Sequence, residues 1–176
     1  AGFKNAVAPL GTALTETQIQ LLWKVVAEPV LCFDGDKAGQ KAAQRAAERA
    51  LPLLKPGKSL RFITLPDGED PDSIIKNTGI ESITEILQKS IPLFEVIWQF
   101  NTLGSRLETP EDRAGLENRL KQIAQSIKDI TVQRYYLNSF KSRLWDEFVK
   151  NREMNTYPQS KRSLHGRKMP SVQMAK

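Results

Sequence analysis

Two short acidic runs carry the chemistry this sequence could do: Asp34-Gly35-Asp36 and Asp67-Gly68-Glu69-Asp70-Pro71-Asp72. Neither contains a basic residue, and Lys37 is the cation next to them. Up to six carboxylates drawn to one place repel. They raise one another's pKa and oppose folding unless a cation neutralises them. Ligands that are all oxygen select Mg2+ or Mn2+, and Mg2+ needs only a couple of carboxylates, with water and substrate phosphate completing its shell. Gly35 permits a tight turn between Asp34 and Asp36, and Pro71 stiffens the spacing of Asp70 and Asp72. Each run also has a purely local reading: Asp36 as a helix N-cap, Asp67-Gly68 as a surface turn, Asp72 as another cap. Coming at successive strand ends, the pair favours a metal site over two unrelated caps.

The elements around the runs bring them together. Val30–Phe33 is a continuous apolar run suited to a buried parallel strand, and the first acidic run follows it directly. An alanine-rich helix is expected over roughly 37–54, with Ala42, Ala43, Ala46, Ala47, Ala50, Leu51 and Leu54 on one face. Leu60–Leu65 is the next strand, stopped by Pro66, and the second acidic run comes directly after it. Strand, helix and strand in this order predict a parallel βαβ unit with a right-handed crossover. Parallel strands end at one sheet edge, where open α/β sheets bind ligands, so the runs should lie one or two strand spacings of roughly 4.8 Å apart.

Upstream, residues 3–8 read as a short strand, and Thr15 caps a helix to about Val26. Beyond Asp72 the pattern predicts helices without strands: 73–76, 80–88, 92–103, 110–127 and 131–149. Phe94, Ile97, Trp98, Leu116, Leu120, Ile123 and Ile127 suit helix–helix packing. The fold class expected is α/β followed by an all-α part, divided into an α/β segment 1–76, a helical subdomain 77–150 and a disordered basic tail 151–176.

Composition narrows the classes. One cysteine, Cys32, and one histidine, His165, exclude an intramolecular disulfide and a Cys/His zinc cluster, so no zinc site is expected. Cys32, inside an apolar run, reads as a buried structural thiol. The apolar stretches fall short of the roughly 18 residues a membrane helix needs, no secretory signal opens the chain, and a cytoplasmic setting fits. The net charge is +6, but residues 151–176 hold six basic residues against one acid and so carry +5 of it. Charge alone therefore marks no nucleic-acid face on residues 1–150.

Leu10-Gly11-Thr12, Val30-Leu31-Cys32-Phe33-Asp34-Gly35-Asp36-Lys37-Ala38-Gly39 and Leu65-Pro66-Asp67-Gly68-Glu69-Asp70-Pro71-Asp72, with Ala50–Pro52 and Leu60–Phe62 between them, closely resemble the TOPRIM region of bacterial replicative DNA primases. The resemblance covers about residues 1–100, and the helices to about residue 150 fit the helical region C-terminal to TOPRIM in that family. It implies a partial TOPRIM fold that makes short RNA primers on a single-stranded DNA template from ribonucleoside triphosphates, with Mg2+ or Mn2+. By the same resemblance, Asp34 and Asp36 match the family's catalytic D-x-D pair, and Asp34, Asp36, Asp70 and Asp72 are metal ligands. Gly11 and Thr12 resemble a loop beside the nucleotide. The replicative helicase would be a partner through a C-terminal domain beyond this chain. The family's signature glutamate, on a strand ending in Glu-Gly, has no counterpart here: Glu16 and Glu28 lie in or after the first helix. The chain is therefore expected to be an internal half-site, inactive alone. Two other functions remain open, a TOPRIM nuclease or topoisomerase and a nonenzymatic metal- or nucleotide-binding module.

Overall fold

Helix caps written in the sequence start most of the helices. A computed structural model describes residues 5–9, 13–105 and 107–150. Thr15 caps α1 (Glu16–Val25) through a capping box: its hydroxyl accepts from the Gln18 N–H, and the Gln18 side chain accepts from the Thr15 N–H at 2.8 Å. β1 (Val30–Phe33) runs into α2 (Lys37–Ala50), which a 3-10 turn (Leu51–Leu53) extends. Next come β2 (Arg61–Thr64) and α3 (Pro71–Thr78), then α4 (Ile80–Gln88), β3 (Ile91–Pro92), α5 (Leu93–Thr102), α6 (Pro110–Gln125) and α7 (Ile130–Trp145). A π-helical turn, Asp146–Lys150, ends the described chain. Over residues 5–8 the strand expected upstream is not found, and the rest of that stretch lies outside the described residues.

The βαβ expectation holds. β1 and β2 are parallel, in register from Val30 opposite Arg61 to Phe33 opposite Thr64. β2 is central, because β3 pairs antiparallel on its other side and makes the sheet mixed. This corrects the expectation of helices without strands beyond Asp72. A two-residue strand is too short for any period, and the Leu93 N–H fixes it by donating to the Leu60 carbonyl at 3.0 Å.

Small side chains let α2 lie close on the sheet: Ala43, Ala46, Ala47 and Ala50 are all buried. Leu60 and Phe62 are buried with them, and Phe62 stacks on Phe33 at 6.0 Å. On the other face, Ile63 and Leu65 cluster with Ile74 of α3, flanked by Ile86 and Leu87 of α4. β1 departs from its reading. It alternates exposed Val30 and Cys32 with half-buried Leu31 and Phe33, so Cys32 is exposed rather than buried. Among the described residues β1 pairs with a strand on one side only, and the α3–α4 cluster covers the β2 residues Ile63 and Leu65. The Cys32 thiol still loses enough water, with Asp34's charge as a second cause, to hold its pKa above the usual thiol value. That makes it a poor nucleophile at neutral pH.

The described residues up to 141 form one compact unit, and those from 142 to 150 belong to a second. In the first, Leu93, Val96, Ile97, Trp98, Leu116, Leu120, Ala124, Ile127 and Phe140 are buried between helices, while Ile123 is half-buried. Phe94, Phe140 and Tyr136 form an aromatic cluster with centroids 4.8 to 5.9 Å apart. Desolvation in this cluster pushes the Tyr136 phenol up to about 12. A folded pKa above the unfolded value of about 10 means the cluster's contribution is complete below pH ~10 and is lost as pH climbs through ~12. Alkaline titration of tyrosinate absorbance should show a component near pH 12 that Tyr136→Phe removes. In the second unit, Arg143 and Glu147 are bonded at 2.9 Å. The basic tail expected over 151–176 lies outside the described residues. No helix among the described residues is long and apolar enough to cross a membrane.

Candidate functional site

Both acidic runs sit where a strand gives way to a helix, and the local chemistry of that junction accounts for part of each. Asp34 directly follows β1 and is exposed. Asp36 is the N-cap of α2, and its Oδ1 accepts from the Gly39 N–H at 2.6 Å. Capping engages one carboxylate oxygen at an end of the helix that already favours negative charge.

The second run is built the same way. Pro66 C=O accepts from the Glu69 N–H at 3.0 Å, closing a turn in which Gly68 sits at φ +77, a conformation glycine adopts without strain. Asp70 caps α3 and accepts from the Ser73 N–H at 2.7 Å, while Ser73 Oγ accepts from the Asp70 N–H at 3.0 Å. The Ser73 hydroxyl also bonds the Glu69 carboxylate. Asp72 lies in the first turn of α3 and pairs with Lys76 one turn on at 2.5 Å. The bond to Asp72, then its charge, raise the Lys76 pKa, with Asp70 adding to the effect. Both partners are exposed, so the pair adds little to stability.

The backbone joins the two runs. The Gly35 N–H donates to the Glu69 carbonyl at 3.4 Å, and Gly35 is buried between exposed Asp34 and Asp36. Gly35 has no positive φ; the chain bends here, and the missing side chain also allows close approach to the second loop. A glycine between two acids after a strand is a signal for either. Asp34, Asp36, Asp67, Asp70 and Asp72 all face solvent, with Glu69 half-buried. Among the described residues no ion pair engages Asp34, Asp36 or Asp70, whereas Asp72 is drawn along its own helix to Lys76.

Among the described residues, no three acidic, His or Cys side chains converge closely enough to enclose an ion. What the edge offers is an open, oxygen-only donor set. That fits Mg2+ or Mn2+, which take one or two protein carboxylates beside water and phosphate, and it does not fit zinc. Gly11 and Thr12 lie outside the described residues.

Known proteins share the sequence and the fold of this chain. Residues 1–64 match the family model of the Toprim domain. Over 149 residues the chain is 39% identical to a DNA primase of Rickettsia bellii, covering 85% of this chain and 25% of that protein. A crystal structure of a DNA primase domain from Pseudomonas aeruginosa superposes with a TM-score of 0.73 at 37% identity, covering 82% of this chain and 44% of that one. A DnaG primase catalytic domain bound to single-stranded DNA superposes with a TM-score of 0.68 at 33% identity, covering 78% and 43%. The chain thus spans about a quarter of the length of the curated relatives it matches.

Proposed function

Since this chain belongs to the DnaG-type bacterial DNA primases, we propose that it supplies the back of a TOPRIM domain and the adjoining helices to a primer-synthesising core. The reaction is transfer of ribonucleotides, templated by single-stranded DNA, onto a growing RNA primer. One observation carries the reading: the Gly35 N–H meets the Glu69 carbonyl, so the two acid-bearing loops share one sheet edge. The relatives favour polymerisation over phosphodiester cleavage, since those compared are DNA primases. The TOPRIM part is taken as 1–76, the helical subdomain as 77–150 and the basic tail as 151–176.

Asp34 and Asp36 are the residues proposed to hold Mg2+ or Mn2+, with Asp70 and Asp72 completing the acidic edge. Bound there, the ion would lower the cost of the attacking 3′-oxygen and the leaving pyrophosphate. The residues themselves do three things. Asp36 couples the edge to α2 through its cap, and Asp70 couples it to α3 through its own. Asp34, exposed and without an ion pair among the described residues, keeps both oxygens available. Asp72 must exchange its Lys76 partner before it can serve. Gly11 and Thr12 are proposed to border the nucleotide. The replicative helicase is a partner through a domain beyond this chain, and the setting is the cytoplasm.

The test is incorporation of labelled ribonucleotides on single-stranded DNA. Residues 1–176 alone should make no primer, because template and nucleotide must be aligned against a fixed cation. A longer protein carrying the remaining parts of the polymerase core should make them. Robust synthesis by 1–176 alone would contradict the half-site reading.

A further inference from the structure

We infer that Gly35 is a positioning residue: the missing side chain at this one place lets the two acid-bearing loops seat on each other and so sets the gap that a divalent cation would bridge. The inference rests on the metal reading above and deepens it. A Cβ at Gly35 would lie 1.8 Å from the Pro66 carbonyl oxygen, 2.3 Å from the carbonyl carbon and 2.6 Å from the Leu65 oxygen. All three are backbone atoms where β2 passes into the second run. No change of rotamer relieves such an overlap, so the loops must part.

Gly39 does the matching task within the first loop. A Cβ there would lie 2.1 Å from the Asp34 carbonyl oxygen, so Asp34's backbone packs against the first turn of α2. The Asp34–Asp36 loop is thus held on one side by α2 and on the other by the second loop. Gly68 supplies the contrast. It sits at φ +77, where alanine is strained, but a Cβ there meets nothing within 4 Å. One substitution pushes the loops apart, and the other only strains the backbone. The difference matters because Mg2+ demands near-octahedral geometry, with ligands at about 2.0–2.1 Å, and cannot follow ligands that shift by an ångström.

The experiment uses Mn2+ as the probe and the paramagnetic broadening of amide resonances in the 176-residue chain as the readout. Gly35→Ala and Gly68→Ala should both lower the melting temperature. In Gly68→Ala, residues 34–36 and 67–70 should still broaden together, at the wild-type Mn2+ concentration. In Gly35→Ala the joint response should split, and the Mn2+ needed at 34–36 should rise about 10- to 100-fold, the scale of losing a group that orients metal ligands. A joint response in Gly35→Ala at the wild-type concentration overturns the proposal. Should Gly35→Ala fail to fold, the wild-type chain decides. Nuclear Overhauser contacts between the Gly35 protons and protons of residues 65–69 are expected, and their absence overturns the seating of the loops. A wild-type chain in which neither run responds to Mn2+ refutes the metal reading instead, and those contacts then decide the loop geometry alone.

Discussion

Changing Asp34 and Asp36 together to asparagine, in a longer protein that carries the rest of the polymerase core, is expected to lower ribonucleotide incorporation more than about 100-fold. That exceeds the 10- to 100-fold typical of altering an outer partner of a metal ligand. Asparagine makes the test clean. As an N-cap it is about as good as aspartate, so α2 should keep its cap when the charge is gone and stability should change by less than about 0.5 kcal/mol. Asp36→Ala should behave differently, because it also removes the acceptor of the Gly39 N–H and costs roughly 0.5–2 kcal/mol of stability. Comparing the two variants separates the structural role of Asp36 from its proposed chemical one. Full activity with both carboxylates replaced would remove Asp34 and Asp36 from the site.

The second large effect is on stability. Phe62 is 2% exposed on the central strand, with Phe33 stacked against it at 6.0 Å. Phe62→Ala should cost about 3–5 kcal/mol, lost burial plus the cavity left behind. Against a typical domain stability of roughly 5–15 kcal/mol, that is enough to bring the sheet close to unfolding. Val25→Ala is the control: Val25 is 87% exposed, and its loss should stay within about 0.5 kcal/mol. Denaturant unfolding, with the slope checked for constancy, measures both. A cost below about 1 kcal/mol for Phe62→Ala would mean the sheet core is not packed as described.

What the sequence disclosed is what depends on near neighbours. The alanine face of α2, the Thr15 cap and the start of α6 at Pro110 are periodicities and caps that act within one or two turns. The parallel pairing of β1 and β2 came from chain order and handedness. The misses have a different cause. Val30–Phe33 is apolar along its whole length, yet only its position at the edge of the described sheet decides that Val30 and Cys32 are exposed. β3 is two residues long and exists because α5 turns back to β2. The Asp72–Lys76 ion pair is an i,i+4 helical spacing, which the chain carries within a single turn of α3. Gly35 was legible as special, whereas the carbonyl it makes room for lies about thirty residues on and only folding brings it there.

The central claim is that Asp34-Gly35-Asp36 and the run from Asp67 to Asp72 form one cation-binding edge. Titrating Mn2+ into the chain while following amide resonances tests it most directly. The account predicts that residues 34–36 and 67–72 respond together, at one weak half-saturation point, while α5, α6 and α7 stay silent. Response of a single run, or effects scattered over the helices, would contradict it.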